Sequence, residues 1–460
     1  MQRPITRTVS FWLAAAIAFN SLFFLAVATT LSLRGNPVQK AFKDGLNLTA
    51  GLGFLYGRHF IRGRPGTDSW GPMLRAYQTW EGQPDGDLYR IFFAENIKFQ
   101  YPPSSLLLFD VLPRWLTRPE GDLTCNGSFR ELIRWSSVGA ALLTALASAA
   151  VLEVSLARQG AGRLERPYWK ALRIALAVVL GLTFYPLTQA YRLGQIQVFL
   201  DALVALGLLC HLLGRPALSG ALLGACCLVK PQYGVLLLWS LMRRHWRFTL
   251  GYAAMLVSGL IVSVGRFGLH NHLRYLEVLR AISRQGEVYW ANQSVNGLMN
   301  RLLENGDPVR WSATAFAPFH PAIYAITLIS SIAILALALV PWGTRRQPLD
   351  GTIDLMTMLA AATMASPVSW EHHYGVFLPI FAALLPIVIH SGPLGRVTAP
   401  AFALSYLAMA NVFNRPDLMF RNRWLGLAGS HLFFGALILF GLLLAIRVSG
   451  RAEPRPDGDA

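Results

Sequence analysis

Charged residues and cysteines are both scarce in this sequence. Asp, Glu, Lys and Arg make up 14% of the 460 residues, whereas a soluble globular domain carries about 25%. So few charges cannot cover a water-facing surface of this size, which excludes a soluble enzyme. The cysteines are only Cys125, Cys210, Cys226 and Cys227, and none of them belongs to a CxxC pair. A disulfide framework or a cysteine zinc site is therefore not expected.

Long apolar runs take the place of the missing charges. Hydrophobic residues make up 54% of the chain. The first run, 10–33, carries no charge and is too long for the apolar region of a signal peptide, so it predicts a membrane anchor. The further runs are 136–156, 172–190, 196–213, 217–229, 233–242, 248–266, 321–340, 353–364, 375–389, 398–412 and 424–446. They predict an all-α polytopic membrane protein with about twelve transmembrane helices.

The basic residues orient this bundle. The formal net charge is +17, and the basic side chains are densest in the N-terminus and in short loops such as 157–173 and 243–247. Short loops rich in Lys and Arg stay in the cytoplasm, so we predict that both termini are cytoplasmic. Because these charges lie between apolar runs, they predict orientation in a membrane and no nucleic-acid partner.

The predicted layout is a single integral membrane domain, 1–460. Its parts are a first transmembrane helix at 10–33, an extracytoplasmic loop with interfacial or re-entrant segments at 34–135, a transmembrane bundle at 136–446 with an extracytoplasmic loop near 268–320, and a cytoplasmic tail at 447–460. Pro231 disfavours helix at Lys230. The runs on either side of that pair are therefore expected to be half-length helices that meet there.

Polar side chains gather in five places on the outer side of this layout. These are the first loop with Asp68, Asp85 and Asp87, the segment Lys98–Tyr101, the turn Tyr191–Gln197, the segment Lys230–Tyr233, and the two segments Trp290–Gly297 and Ser366–Tyr374. An ionisable residue inside the membrane is a candidate for function, although a lysine that snorkels from a span end is the alternative for Lys230. The adjacent His372 and His373 lack the HExxH spacing, so we predict no metal and no cofactor.

The first loop offers three aspartates for acid–base chemistry. Asp85 and Asp87 lie in a Gln-Pro-Asp-Gly-Asp sequence, and turn formation explains them. Asp68 precedes an apolar and aromatic stretch that predicts an amphipathic helix on the membrane. A carboxylate at that position fits a helix cap and a catalytic base equally well.

These motifs, taken in order, resemble glycosyltransferase family 87 of the GT-C superfamily. The similarity covers roughly residues 60 to 390. The motifs are an aspartate in a long first outer loop, Gly82, Tyr89, Tyr101-Pro102-Pro103, Gly194-Gln195, Lys230-Pro231-Gln232, Asn292-Gln293-Ser294 with Arg301, and Ser366-Pro367 through His372-His373. The resemblance implies the GT-C fold, a polyprenyl-phosphate-linked sugar donor and catalysis on the outer face of the cell membrane. It also implies that Asp68 is the catalytic base, with Asp85 and Asp87 as alternatives.

Members of this family include phosphatidylinositol-mannoside mannosyltransferases and arabinofuranosyltransferases. The resemblance therefore implies transfer of mannose or another hexose, or of arabinofuranose, to a lipid or glycan acceptor. Charge that grows on the leaving lipid phosphate needs nearby donors. Candidate donor-phosphate or substrate-binding residues are Arg192, Gln195, Lys230, Gln232, Asn292, Gln293, His372 and His373. For Asn292 and Gln293, packing of their loop is an equal alternative. A single phosphate needs less compensating charge than a pyrophosphate, so we expect a metal-independent reaction, and direct displacement would invert the anomeric centre.

The main alternative is a transporter or flippase of a lipid-linked sugar that carries out no covalent chemistry. It would also have about a dozen spans, and it predicts broken helices at matching positions of two halves. The sequence shows one such break near Lys230 and a second candidate near Ser366-Pro367. A non-catalytic membrane scaffold is a third interpretation, but it gives no reason for acidic, basic and histidine clusters to share one side.

Overall fold

The computed structural model of the chain describes eight segments. They are residues 6–20, 66–82, 86–118, 125–160, 167–341, 350–390, 395–411 and 423–449. Within these segments the regular structure is helical, apart from one isolated bridge between Asn292 and Trp370. Asp85, residues 34–65 of the first loop and the tail from 450 lie outside the described residues, and the predicted first transmembrane helix is described only as far as residue 20.

The helices used below are labelled in chain order. They are α1 (6–20), α2 (Trp70–Gly82), α3 (Gly127–Arg158), α4 (Pro167–Leu182), α5 (Tyr185–Leu193), α6 (Gln197–Leu212), α7 (Pro216–Val229), α8 (Val235–Met242), α9 (Trp246–Gln285), α10 (Val295–Leu302), α11 (Pro321–Leu339), α12 (Asp350–Met364), α13 (Phe377–His390), α14 (Gly395–Ala410), α15 (Arg423–Ala428) and α16 (His431–Ser449). A 3₁₀ segment, Pro231–Gly234, joins α7 to α8, and another, Glu371–Val376, precedes α13.

Several of these helices are long and apolar enough to cross a membrane. In the described part of the chain they are α3, α9, α11, α16 and the segment Glu371–Ile389, and the bent pair α4 and α5 makes a sixth. The helices α6, α7, α12 and α14 are apolar but shorter. The prediction of an all-helical polytopic membrane protein is therefore confirmed.

The structure divides two of the predicted apolar runs. The run 172–190 becomes α4 and α5, which meet at an angle of 51°. Pro186 lies in the first turn of α5, where its missing N–H is tolerated. The run 424–446 becomes α15 and α16, and the break at Gly429–Ser430 accepts hydrogen bonds from the loop before α10 and from α10 itself.

Helix α9 is longer than predicted. The sequence indicates a span that ends near Arg266 and a loop from 268, but the helix bends at Gly268, where φ is 77°, and continues to Gln285. The drop in hydrophobicity after Arg266 does not mark the end of the helix, because charged residues are also good helix formers. The Arg266 guanidinium contacts the Asp110 carboxylate at 3.0 Å.

The main core holds the bundle together and leaves room at one end. It packs α3, α6, α7, α8, α12, α13 and α16 around large buried side chains that include Trp239, Phe248 and Tyr252. At one end of α12 Asp354 accepts hydrogen bonds from the Trp239 indole at 2.8 Å and from the Arg243 guanidinium at 2.6 Å. The opposite end of α12 reaches the polar cavity described below.

A second, aromatic layer covers that end of the bundle. It joins α2, the short turns at 103–117, the start of α3 and the second half of α9 around Trp70, Trp80, Phe109, Phe129 and Phe267. The apolar stretch 102–112 forms a 3₁₀ turn followed by a four-residue helix inside this layer. This aromatic layer covers the cavity in which the polar segments meet.

Candidate active site

A cavity of about 970 Å³ lies between the aromatic layer and the ends of the broken helices. Its walls come from segments that lie as far apart in the sequence as Thr67 and His373. The predicted site residues that line it are Asp68, Arg192, Gln195, Lys230, Gln232, His372 and His373. The cavity therefore brings together the first-loop carboxylate, the Arg192 turn, the Lys230 break and the histidine pair.

Backbone hydrogen bonds fix the position of Asp68. The Asp68 N–H donates to the Leu193 carbonyl at 3.1 Å, and the Gly66 N–H donates to the Arg192 carbonyl at 3.0 Å. This contact requires glycine at 194, which ends α5 in the left-handed conformation with φ 65°, because a Cβ there would collide with the Gly66 carbonyl. The segment before α2 is thereby anchored to the turn that carries Arg192.

A side-chain network supports the same carboxylate. The Ser69 hydroxyl donates to Gln195 Oε1 at 2.5 Å and accepts from the Ile196 N–H at 3.1 Å. The Tyr101 hydroxyl lies 2.7 Å from the Ser69 oxygen. With its oxygen occupied in this way, the Gln195 amide has its NH₂ group available to hydrogen-bond the Asp68 carboxylate. Gln195 and Tyr101 line the cavity and also hold Asp68 and Ser69 in place.

The cavity wall changes the acidity of Asp68. Partial burial raises the pKa of this carboxyl group above its usual value of 3.8, while the hydrogen bond from Gln195 and the positive charge of Arg192 lower the pKa and oppose the shift. The first N–H groups of α2 are used by backbone carbonyls, since Gly71 donates to Thr67 and Met73 donates to Ser69. The Asp68 carboxylate is thus directed to the cavity and its polar wall.

Lys230 reaches the cavity from the break between α7 and α8. Its backbone is extended, with φ −131° and ψ 97°, as expected for a residue before proline, so the predicted break is present. The Lys230 ammonium group donates to Gln197 Oε1 at 2.6 Å, and Gln197 Nε2 donates to Asp201 Oδ1 at 2.7 Å. The amide of Gln197 thus joins the lysine to a fully buried carboxyl group. Gly375 packs against that carboxyl group so closely that a Cβ would collide with it.

The histidine pair lies at the same end of the cavity. The rings of His372 and His373 are nearly perpendicular, with centroids 4.8 Å apart, and both line the cavity with little exposed surface. Both imidazoles lie within electrostatic range of Lys230. His373 Nδ1 has no hydrogen-bond partner among the described residues. Lys230 and two imidazoles therefore offer N–H donors to one region of the cavity.

Glu371 joins the site from the turn before the histidines. It lines the cavity and is 1% exposed. Its Oε2 lies 3.5 Å from Gln189 Nε2, and Gln189 Oε1 accepts from the Arg192 guanidinium at 3.0 Å. The sequence places Glu371 in a polar cluster but does not show that Gln189 and α5 cover its carboxyl group.

Asn292 and Gln293 are placed differently from the other predicted site residues. Both are fully buried, and neither lines the cavity. Asn292 Nδ2 donates to the Glu287 carbonyl at 2.8 Å, and Gln293 Nε2 donates to the Gly429 carbonyl at 2.7 Å. Their side chains connect the loop before α10 to neighbouring segments, one of the two roles that the sequence allows.

The alternative aspartate of the first loop lies away from the cavity. Asp87 Oδ2 pairs with the Arg274 guanidinium at 3.1 Å, and its Oδ1 accepts from the Tyr89 N–H at 2.8 Å. This matches the turn role that the sequence indicates. Among the described residues no group of three His, Cys, Asp or Glu side chains is arranged to hold a metal ion.

Two residues of this arrangement, Asp201 and Glu371, are absent from the predicted site residues, although each carries a usable signal in the sequence. Asp201 is an acidic residue inside the apolar run 196–213, and an ionisable group inside a span is a candidate for function. Glu371 directly precedes the histidine pair. A search for every charged residue inside or next to an apolar run would have selected both.

The fold and the cavity define a class of protein. It is a multi-pass helical membrane protein with a polar cavity between broken helices, in which a carboxylate faces cationic side chains and paired histidines. The family model described as glycosyltransferase family 87 matches residues 99–367, which is more than half of the chain. The chain belongs to glycosyltransferase family 87, as the resemblance of its motifs predicts, and is therefore a membrane glycosyltransferase. The matched range contains Arg192 and Lys230, while Asp68 and the histidine pair lie outside it.

Curated relatives match most of the chain at low identity. A polyprenol-phosphate-mannose-dependent alpha-(1-2)-phosphatidylinositol mannoside mannosyltransferase of Mycobacterium tuberculosis is 25% identical over 398 residues, which are 82% of this chain and 83% of the relative. The protein with the same description in Mycolicibacterium smegmatis is 26% identical over 80% of this chain and 81% of its own length. A pentamannoside mannosyltransferase of that organism is 27% identical over 46% of this chain and 48% of its own. No solved structure matches the chain significantly.

Proposed function

We propose that the chain transfers a mannosyl residue, or another hexose, from a polyprenyl-phosphate donor to a lipid-linked or glycan acceptor. The observation that carries this proposal is the single cavity in which Asp68 faces Arg192, Lys230 and the histidine pair. The names of the curated relatives support the donor and suggest phosphatidylinositol mannosides as the acceptor class.

In this proposal Asp68 is the general base. The acceptor hydroxyl loses a proton as its oxygen attacks the anomeric carbon, and a positioned carboxylate accepts that proton. The backbone contacts with Arg192 and Leu193 and the amide of Gln195 hold the carboxylate at the cavity wall. Attack from the face opposite the leaving phosphate inverts the anomeric centre.

The donor phosphate lies at the cationic side of the cavity. Lys230 supplies a point charge and Arg192 a planar guanidinium suited to phosphate oxygens. Gln232, His372 and His373 add N–H donors for the charge that develops on the leaving phosphate. These groups compensate the charge of a monophosphate without a metal ion. The apolar part of the cavity wall, with Val229, Val235, Leu335 and Ala362, fits the first isoprene units of the donor.

The proposal also includes the membrane topology that the sequence predicts. The chain forms a GT-C fold of about twelve transmembrane helices in one domain, with the shorter apolar helices counted as spans. Both termini are cytoplasmic, and the cavity opens on the extracytoplasmic face of the cell membrane, where the first loop meets the segment near 268–320, which includes the end of α9. Asn292 and Gln293 hold that second loop in place and act on substrate through it.

The pH dependence of transfer tests the base. Asp68 accepts a proton only when it is ionised, so kcat/KM should fall as the pH drops through a pKa above 3.8. Arg192→Gln removes a positive charge that lowers this pKa. The acid limb of the pH profile is the range over which kcat/KM falls as the pH drops. It should therefore move to higher pH in Arg192→Gln than in the wild type, whatever the loss in maximal rate. Mannosyl transfer from polyprenyl-phosphate mannose, measured across the pH range, gives the position of the limb.

Arg192→Lys is the matched variant for this experiment. It keeps a positive charge near Asp68, so its acid limb should stay closer to that of the wild type than the limb of Arg192→Gln. An acid limb at the same pH in all three proteins would contradict the assignment of that limb to Asp68.

A further inference from the structure

Glu371 has a carboxyl oxygen that nothing in the described structure satisfies. The side chain is 1% exposed and lines the cavity. Its Oε2 is in reach of the Gln189 amide, and Tyr185 lies beside the same carboxyl group, but Oε1 has no hydrogen-bond partner among the described residues. A buried polar atom without a partner costs free energy. A ligand hydroxyl group in the cavity would remove that cost.

An aromatic wall stands beside this carboxyl group. Trp370 directly precedes Glu371, and its ring centroid lies 5.2 Å from that of Trp311 and 6.4 Å from that of Tyr289. All three rings line the cavity and keep some exposed surface. The Lys98 ammonium group lies 4.1 Å from the Trp311 ring centroid and 2.6 Å from the Glu287 carboxylate. The wall is therefore held in place before any substrate binds.

Aromatic rings next to hydroxyl-binding groups suit a sugar better than a lipid chain. The negative face of an aromatic ring attracts the positively polarised C–H groups on one face of a pyranose, while a carboxyl oxygen accepts hydrogen bonds from its hydroxyl groups. An isoprene chain would leave the Glu371 oxygen unsatisfied. The apolar part of the cavity around Val229 and Leu335 suits such a chain instead.

The wall is also close to the proposed base. Burial raises the pKa of Tyr289, and the nearby carboxyl groups of Glu371 and Asp68 raise it further. Gln189 connects Glu371 to Arg192. A pyranose ring on this wall would therefore share the cavity with the proposed base and with Arg192.

We propose that Glu371, together with Tyr289, Trp311 and Trp370, forms a pyranose-binding subsite in which the Glu371 carboxyl group accepts hydrogen bonds from sugar hydroxyls. This inference rests on the proposed function, because it assigns a substrate group to the same cavity. The pyranose is either the sugar of the donor or the terminal sugar of the acceptor. A donor sugar on this subsite predicts a change in the donor KM, and an acceptor sugar predicts a change in the acceptor KM.

Glu371→Gln tests the carboxyl group, because it keeps the shape of the side chain and exchanges an acceptor oxygen for an N–H donor. Trp311→Leu tests the wall at a residue that is 47% exposed, so folding should tolerate it. Glu304→Gln is the matched control, since Glu304 is exposed and does not line the cavity. The measurement is kcat and both KM values for transfer from polyprenyl-phosphate mannose to a phosphatidylinositol mannoside.

We expect kcat/KM to fall about 10- to 100-fold in Glu371→Gln, the loss that follows when a buried polar group is left without its hydrogen-bond partner. A rise in the donor KM identifies the donor sugar as the occupant, and a rise in the acceptor KM identifies the acceptor sugar. In either case Trp311→Leu should raise the same KM, and Glu304→Gln should match the wild type.

Two results separate the failure of the subsite from the failure of the proposed function. If the wild type transfers mannose and Trp311→Leu leaves both KM values unchanged, the subsite is overturned and the function stands. Unchanged KM values in a folded Glu371→Gln protein overturn it equally. If the wild-type protein transfers no sugar, the proposed function itself fails.

Discussion

Replacing Asp68 with asparagine should lower kcat for mannosyl transfer by about 10²–10⁴-fold, the usual contribution of a positioned general base. Asparagine keeps the size and polarity of the side chain, and the segment that carries it remains bound to the Arg192–Gly194 turn through backbone hydrogen bonds. It cannot accept the proton of the acceptor hydroxyl. The loss should therefore appear in kcat, with smaller changes in both KM values, when transfer is followed in protein reconstituted into lipid nanodiscs.

Asp87→Asn is the control for this substitution. Asp87 is also in the first loop, but its carboxylate pairs with Arg274 and does not line the cavity. A partly exposed pair of this kind contributes about 0–1 kcal/mol to stability, so Asp87→Asn should fold and transfer mannose at a near-normal rate. Near-wild-type kcat in Asp68→Asn, or a large loss in Asp87→Asn alone, would show that the base has been assigned to the wrong residue.

Replacing Lys230 with methionine should lower kcat/KM by about 10²–10³-fold, as when one preorganised donor to a developing charge is removed. Methionine fills most of the space of the lysine stem but carries no charge for the leaving phosphate. The purified variant should also retain less polyprenyl phosphate when its bound lipids are quantified by mass spectrometry. Lys170→Met makes the same change at an exposed residue in the first turn of α4 and should have no such effect.

Gly375→Ala reaches Lys230 by an independent route. The added methyl group would displace the Asp201 carboxyl group, which holds Gln197 and, through it, the Lys230 ammonium group. Gly375 does not line the cavity, so a loss of donor binding in this variant would act through Asp201 and Lys230 or through the histidine pair of the same 3₁₀ segment. Gly441→Ala is the control, because a methyl group at Gly441 in α16 meets open space. Normal donor retention in both Lys230→Met and Gly375→Ala would remove Lys230 from the phosphate site.

Local chemistry made some of the fold predictable. The break at Lys230 follows from the single residue Pro231, and the apolar runs mark helices such as α6 and α11 closely. The bend between α4 and α5 was missed because the run 172–190 is apolar throughout, and only Pro186 indicates that a new helix begins. The continuation of α9 beyond Gly268 was missed because hydrophobicity reports burial in the membrane and does not mark the end of a helix.

The site was predictable where a residue stands out by itself and was missed where distant segments meet. Asp68, Lys230 and the histidine pair are visible as charged or paired residues near apolar runs. Glu371 resembles a loop residue until Gln189, almost two hundred positions earlier, covers it. From the sequence alone, Asn292 could bind substrate or pack within its loop. Only the fold shows its hydrogen bonds to neighbouring backbone carbonyl groups.

The fate of the donor tests the central claim most directly. Proteoliposomes that contain the wild-type protein, polyprenyl-phosphate mannose labelled in the sugar, and a phosphatidylinositol mannoside acceptor should produce one new mannolipid for each polyprenyl phosphate released. Asp87→Asn should do the same, and Asp68→Asn should produce almost none. If the labelled mannose instead crosses the bilayer still attached to its polyprenyl phosphate, and no free polyprenyl phosphate forms, the cavity is a transport pathway and the account is contradicted.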